Sequence, residues 1–339
     1  MTAKRLLFPK IGQVTWETFD PPTAPEPHAV IARATTSLIS VGTELAIYTG
    51  SHMGFTLPNP PFPMMPNNPG YALVGQVTAV GDAVQTVQPG QRVMMKVPHG
   101  TIGVADIRRN GVVVLPAGLS DAEGALVRMA EVALAAVRLA PVQLGDAVVI
   151  YGLGLVGQLA AQLFRLNGAH PVIGLDRLPS RLAVAQNNGI TALNVNEVDV
   201  PAEVNRLTHG RGPEVVVEAT GSPAVVSLSL ELAAKGGRVA LLGSPRGRVE
   251  LDPYSHIHRK GVRVIGAHES AQTLDHAPQR WNQARNLHLL AQLFAAESLN
   301  SNGLITHTIK PDQALTIYDK LAENPQNYLG VLINWEPGE

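Results

Sequence analysis

Gly152, Gly154 and Gly157 lie between an apolar run and a helical segment, a spacing suited to holding a pyrophosphate. The run Ala147-Val148-Val149-Ile150 reads as a buried strand, and Tyr151-Gly152-Leu153-Gly154-Leu155-Val156-Gly157 follows it directly. Gly152 allows the tight turn, Gly154 lets the backbone approach the phosphates, and Gly157 lets the next helix pack close to the sheet. That helix, Gln158 to Asn167, would offer unpaired N–H groups and a positive dipole end. Pro171 to Asp176 then reads as a second strand ending in an acid, placed to accept hydrogen bonds from ribose hydroxyls. The acid favours NAD over NADP, because its carboxylate repels a 2′-phosphate. Arg177 and Arg181 pull the other way, since guanidinium groups neutralise such a phosphate, although Arg181 reads as an exposed helix residue. The alternative is a strand-to-helix turn that is glycine-rich for packing alone.

The flanking elements explain how such a turn would be held. Residues 1–120 are rich in Pro, Gly, Val and Thr, with short strands at Ala29 to Ala34, Leu73 to Val80 and Arg92 to Val97. The proline-dense stretch from Leu57 to Pro69 is irregular. Ser120 and Glu123 form a capping-box signature for a helix from Asp121 to Leu139. Strands then alternate with helices: Val215 to Glu218, Pro223 to Ala234, Arg238 to Leu242, Val262 to Gly266, and a helix from about Pro278 to Ala296. Such alternation builds a parallel sheet covered by helices on both faces. The fold class expected is α/β: a Rossmann doubly wound parallel sheet domain over residues 121–299, beside an irregular β-rich domain. The tail from Ile305 to Trp335 reads as strand, helix, strand, and is expected to return to that first domain, giving it residues 1–120 and 300–339.

Composition narrows the function classes. The net charge of -1 gives no sign of nucleic acid or a charged membrane surface as partner. No segment has the length and apolarity of a membrane span, and the N-terminus lacks the apolar stretch of a secretory signal, so a cytoplasmic location is the expectation. With no cysteine, disulfides, thiolate zinc sites and a cysteine nucleophile are excluded. His256-Ile257-His258 would put two imidazoles on one face if it were a strand, but no third ligand is spaced nearby.

Several phrases carry a resemblance over nearly the whole chain. They are Ser40-Val41-Gly42-Thr43-Glu44, Pro69-Gly70-Tyr71-Ala72-Leu73-Val74-Gly75, Pro89-Gly90-Gln91-Arg92-Val93, Leu144-Gly145-Asp146, Val217-Glu218-Ala219-Thr220-Gly221, Gly236-Gly237-Arg238-Val239 and His258-Arg259-Lys260-Gly261. In that order the chain resembles the medium-chain dehydrogenase/reductase superfamily, which includes zinc alcohol, sorbitol and threonine dehydrogenases. The resemblance implies that the β-rich domain is a GroES-like catalytic domain. It also implies cofactor contacts at Gly152, Leu153, Gly154, Leu155, Val156, Gly157, Asp176, Arg177, Arg181, Thr220, Gly243, Ser244, Ala267 and His268. Zinc members read Cys-Gly-Thr-Asp and Pro-Gly-His-Glu where this chain has Val41-Gly42-Thr43-Glu44 and Pro69-Gly70-Tyr71-Ala72. The four-cysteine lobe of those members is missing as well. No metal is therefore expected, and the chain is similar to a zinc-free branch that includes sugar- and polyol-type dehydrogenases and a bacteriochlorophyllide dehydrogenase.

Without a metal, side chains must hold the reacting oxygen and take its proton. The resemblance places Thr43 at the relay hydroxyl and Tyr71 at the position of the zinc-binding histidine. It places Lys96 and His99 at a strand end facing the cleft of relatives. A lysine next to a phenol would lower its pKa, and a histidine titrates in the useful range. Each has a plainer alternative: Thr43 and His99 as turn residues, Tyr71 as a plug for the vacated metal cavity, Lys96 as a solvated charge. Glu44 either orients a neighbour or accepts backbone hydrogen bonds. His268 and Glu269 lie where relatives meet the nicotinamide and could touch substrate, and His52 adds to a polar set suited to a polyhydroxy substrate. The expected activity is NAD-dependent oxidation of a secondary alcohol of a polyol, sugar or cyclitol. A quinone or enone reductase and a non-catalytic NAD(H) sensor are the alternatives. A homodimer or homotetramer is expected from the resemblance alone.

Overall fold

The computed structural model describes residues 3–58, 62–270 and 281–336. It divides into two compact units. The first holds residues 1–129, 283–297 and 305–339, and the second holds 130–282 and 298–304.

The first unit opens with β1 (Ala3–Leu7) and β2 (Thr15–Phe19), paired antiparallel. It continues through β3 (Ala29–Ile39), α1 (Thr43–Tyr48), β4 (Leu73–Val80), β5 (Arg92–Met95), β6 (Ile102–Asp106), β7 (Val112–Val114) and α2 (Asp121–Leu139), whose last turns belong to the second unit. Ser120 and Glu123 cap α2 reciprocally, Ser120 N–H donating to Glu123 Oε2 at 3.0 Å and Glu123 N–H to Ser120 Oγ at 3.2 Å.

The second unit contains β8 (Val148–Tyr151), α3 (Leu155–Leu166), β9 (Val172–Asp176), α4 (Pro179–Asn187), β10 (Thr191–Asn194), α5 (Val200–Leu207), β11 (Val215–Glu218), α6 (Pro223–Leu232), β12 (Arg238–Leu241) and β13 (Arg263–Gly266). Its strands are parallel throughout, in the order β10-β9-β8-β11-β12-β13. That is two mononucleotide-binding halves meeting between β8 and β11, where the strand order reverses and ligands of such sheets bind. β8 and β11 are buried at every position, so they read as unbroken apolar runs rather than alternating ones.

The chain then returns to the first unit with α7 (Gln283–Ala295), β14 (His307–Ile309), α8 (Ala314–Glu323) and β15 (Val331–Asn334). β15 pairs antiparallel with β3, Val331 opposite Ile39, and joins a seven-stranded sheet β14-β15-β3-β4-β5-β7 onto which β6 pairs through β3. The core of this unit draws Leu6, Val30, Leu73, Val93, Tyr318 and Ile333 from both ends of the chain. One sequence expectation changes here. Helix α7, expected with the dinucleotide domain, packs against β7 of the first unit, burying Leu287 and Leu290; the Pro278 start lies outside the described residues. Tyr254–His258 is a wide helical turn closed by Arg259 N–H on the Tyr254 carbonyl at 2.9 Å. His256 and His258 therefore do not share a face as they would on a strand.

Candidate functional site

The glycine turn of the second unit is built as its spacing requires. Gly152 ends β8 at φ +91°, and a Cβ there would lie 2.7 Å from the Thr220 side chain. A Cβ on Gly157 would lie 1.9 Å from the Gly152 carbonyl oxygen, so only glycine lets α3 start this close to the strand. Gly154 is different: a Cβ there would meet nothing within 4 Å. It is the N-cap of α3, and no side chain caps the helix. Leu155 and Val156 carry the first N–H groups of α3, of the kind a helix start leaves without intrahelical partners, and beside an uncrowded glycine they make a cradle that fits a diphosphate.

Asp176, at the end of β9, is buried and already engaged. Its Oδ2 accepts from Leu153 N–H at 2.8 Å, and its Oδ1 accepts from Arg177 N–H at 2.7 Å and Leu178 N–H at 3.0 Å. The acid therefore locks the glycine turn. Oδ2 keeps acceptor capacity for a hydroxyl. Arg181, expected exposed, is instead half-buried with Nη1 3.7 Å from Asp176 Oδ2, and Gln158 Nε2 donates to its carbonyl at 2.7 Å. Arg177 is exposed.

The neighbouring rim is held by Glu218, which the sequence offered only as part of a family phrase. Fully buried at the end of β11, its carboxylate accepts from Thr220 N–H at 2.7 Å, Gly221 N–H at 3.0 Å and the Thr220 hydroxyl. Burial pushes its pKa above the usual carboxylate value, against those same hydrogen bonds. A Cβ on Gly243 would lie 2.4 Å from Gly221 N, and the Ser244 carbonyl also presses on Gly221. Thr220, Gly243 and Ser244 thus form one packed rim at the carboxyl ends of β11 and β12. Beyond β13, Ala267 is buried and bonded to the Leu241 carbonyl, while His268 is exposed with Nδ1 2.7 Å from Ser270 Oγ.

In the first unit, Thr43 and Tyr71 come together. Thr43 is the first residue of α1, its hydroxyl close enough to the Tyr71 phenol to act on its ionisation, and the phenol donates to Ser40 Oγ. The guanidinium of Arg128, itself 3% exposed, lies over the Tyr71 ring at 4.9 Å from the centroid. Desolvation raises the pKa of the phenol; Arg128 and the Ser40 and Thr43 hydroxyls oppose that rise, and Glu44 adds to it. Ser40 and Arg128 escaped the sequence reading, and the cation on the phenol is Arg128 rather than Lys96. Lys96 lies past the end of β5, half-buried, with its stem 3.0 Å from where a Gly111 Cβ would sit.

His99 and Glu44 also need correcting. Both are buried, His99 completely, so neither meets a substrate as a free acid or base. His99 Nε2 lies 3.0 Å from Glu44 Oε2 and its Nδ1 2.7 Å from Ser37 Oγ. Tyr318 donates to Glu44 Oε2 at 2.6 Å, Ser40 N–H donates to Oε1 at 2.8 Å, and Trp335 Nε1–H donates to Ser37 Oγ at 2.9 Å. Every donor and acceptor is matched if the ring carries its proton on Nε2 and Ser37 donates to Nδ1. Glu44 thus does both things expected of it, accepting one backbone N–H and holding the His99 and Tyr318 side chains. A Cβ on Gly70, at φ +100°, would lie 2.6 Å from the His99 ring, which explains that glycine. His52 caps its own turn, Nδ1 accepting from Gly54 N–H at 3.0 Å.

The residues present do not suit zinc. Val41 and Ala72 carry no donor atom, and Tyr71 is a phenol engaged with hydroxyls. Among the described residues, no three His, Cys, Asp or Glu side chains converge to hold a metal, and no helix is long and apolar enough to cross a membrane.

Two family models match: residues 27–114 match an alcohol dehydrogenase GroES-like domain, and residues 156–288 match a zinc-binding dehydrogenase domain. The chain is 28% identical to the sorbitol dehydrogenase of Bacillus subtilis over 60% of its own length and 65% of that relative. It is 26% identical to sorbitol dehydrogenase 1 of Saccharomyces cerevisiae over 93% of both chains. The solved galactitol-1-phosphate dehydrogenase of Escherichia coli shares its fold, with a TM-score of 0.82 at 22% identity, over 98% of this chain and 99% of that one.

Proposed function

The chain belongs to the medium-chain dehydrogenase/reductase superfamily, and from that premise we propose that it is a zinc-independent, NAD-dependent dehydrogenase oxidising a secondary alcohol of a polyol, sugar or cyclitol. The observation that carries this reading is the phenol of Tyr71, bonded to the Ser40 hydroxyl and close to that of Thr43, beneath a buried guanidinium. Oxidation of an alcohol needs the hydroxyl proton removed as the hydride leaves, and this cluster offers a proton acceptor with a hydroxyl relay. The hydroxyls and the charge around Tyr71 favour chemistry over a purely sensing role.

A dinucleotide, when bound, supplies the hydride acceptor. The N–H groups at Leu155 and Val156 would hold its diphosphate, Asp176 its ribose, and the rim at Thr220, Gly243 and Ser244 its far half. Asp176 favours NAD, and the approach of Arg181 to that carboxylate leaves less positive charge for a 2′-phosphate. Relatives that act on sorbitol support the polyhydroxy class of substrate. β13 is the edge strand of the parallel sheet, with Val264 exposed on it, and an open edge of this kind suits pairing with a second copy of the chain.

The deciding experiment follows NADH absorbance with a panel of polyols, sugars and simple alcohols, on protein whose metal content has been measured. We expect turnover on a polyhydroxy substrate with NAD, unchanged by chelator. Tyr71→Phe, which keeps the ring, should lower kcat by about 10²–10⁴-fold. One tightly held zinc per chain with activity lost on its removal, or NADP preferred by the parent, would overturn the corresponding part.

A further inference from the structure

The structure assigns Arg128 as the positioning residue that makes the Tyr71 phenol usable as a proton acceptor, the fixed positive charge of a site without metal-ligand chemistry. The inference rests on the reading of Tyr71 given above.

Arg128 is out of place by every rule of burial. It interrupts the run Ala125-Leu126-Val127-Arg128-Met129-Ala130, whose other members are at most 1% exposed, and is 3% exposed itself. Burying a guanidinium is costly unless its surroundings repay it. Part of the repayment is visible: the cation lies 4.9 Å from the centre of an aromatic face, the arrangement the ring quadrupole favours. The same geometry acts harder on the ionised ring, because a phenolate adds a full negative charge beneath the guanidinium.

The other groups facing the phenol are the Ser40 and Thr43 hydroxyls and the Glu44 carboxylate. The hydroxyls can turn to donate to a phenolate oxygen. Glu44 opposes ionisation by its charge, but it is tied up by Ser40 N–H, Tyr318 and His99. Desolvation is the largest force keeping the phenol neutral, and Arg128 is the largest force against it. With a dinucleotide bound to accept the C–H hydride, the alcohol O–H proton would pass to the phenolate oxygen, so charge and electrons balance. The guanidinium stays protonated and takes no part in the transfer.

The test reads the phenol directly. Protein labelled with ¹³C at tyrosine Cζ is titrated by NMR, with the Tyr71 resonance assigned by its loss in Tyr71→Phe. Arg128→Met keeps the length of the side chain and removes the charge; Arg128→Lys keeps a charge. We expect the Tyr71 midpoint to rise by at least one pH unit in Arg128→Met and to return most of the way in Arg128→Lys. The rising alkaline limb of kcat/KM should move with it. A midpoint in Arg128→Met within half a unit of the parent overturns the inference. So does a Tyr71 resonance that, in the parent, stays unmoved until the protein unfolds in alkali. If Arg128→Met does not fold, Arg128→Gln is read in its place against Arg128→Lys. Retention of kcat in Tyr71→Phe would instead sink the reading of Tyr71 as acceptor, and the NMR midpoints would still report on Arg128.

Discussion

In the second unit, the ligand cradle is made of backbone. Gly152, Gly154 and Gly157 lie within one turn of chain, the groups that a helix start offers there are N–H groups, and the acids behind them, Asp176 and Glu218, spend their oxygens largely on further backbone N–H groups. In the first unit, the chemistry is made of side chains. Ser40 follows β3, Thr43 opens α1, Tyr71 precedes β4 and Arg128 lies on α2. Beneath them, the buried carboxylate of Glu44 serves two side chains, His99 and Tyr318, and a single backbone N–H. A site of the first kind is encoded locally and tolerates almost any residue at the intervening positions. A site of the second kind exists only once the sheet and its helices have closed, and each member can be lost singly.

The largest effect that would sharpen this contrast is on stability. Glu44→Ala strands three buried donors at once, those of His99, Tyr318 and Ser40. Breaking a buried network of this kind should cost about 3–5 kcal/mol in urea unfolding. The dissociation constant for NAD, measured below the transition, should stay within about threefold, or roughly 0.6 kcal/mol. If Glu44→Ala unfolds with the parent, the network is not holding the first unit together. If it abolishes NAD binding at full fold, the two regions are not as separate as their construction suggests.

The complementary break is in the cradle. Gly157→Val places a Cβ 1.9 Å from the Gly152 carbonyl oxygen. Strand and helix must move apart, and the N–H groups of α3 move with them. NAD should bind at least about 100-fold more weakly, or roughly 2.7 kcal/mol, by calorimetry. Circular dichroism should still show a folded protein.

How much of this was legible depends on the same distinction. The glycine turn, β8, β9, the Ser120–Glu123 cap and the tail returning to β3 could all be read from the sequence, because each is set by spacing or periodicity along a short stretch. The pairing of Thr43 with Tyr71 was approached through resemblance. Arg128 was invisible because a lone arginine in an apolar helix gives no sign of which ring it will cover. His99 was misjudged because the sequence shows a titratable side chain before a glycine but not its burial; the signal available was Gly70, whose missing Cβ makes room for the imidazole. Arg181 was misjudged because a polar helix residue beside an acid looks solvated until the helix is placed.

A subtler test concerns Asp176, which holds the turn and is proposed to bind the ribose as well. Asp176→Ala removes the acceptor for Leu153, Arg177 and Leu178 and should weaken NAD and NADP alike. Asp176→Asn keeps one oxygen for the backbone and removes the charge. It should narrow the preference for NAD by about tenfold, near 1.5 kcal/mol, the lower value for one charge-assisted hydrogen bond. Steady-state kinetics with both cofactors check this. Equal loss of both in the Asn variant would make Asp176 a structural clamp and nothing more.

The smallest expected effect lies in Glu218. Burial raises its pKa from the ordinary 4.5 despite the N–H groups it accepts. A carboxyl whose folded pKa is raised binds its proton more tightly in the native state, so stability falls as pH rises from 4.5 through the folded value. The slope from one group cannot exceed about 1.4 kcal/mol per pH unit. Glu218→Gln has no such proton, while its amide oxygen can still accept from Thr220 and Gly221. Urea unfolding of parent and variant from pH 4.5 upward should therefore give stability curves that diverge, the parent losing ground to the variant until its carboxyl is fully ionised and running parallel beyond. If the parent instead gains on the variant over that window, the backbone N–H groups outweigh burial. The acid beneath the rim would then be a carboxylate stabilised on folding.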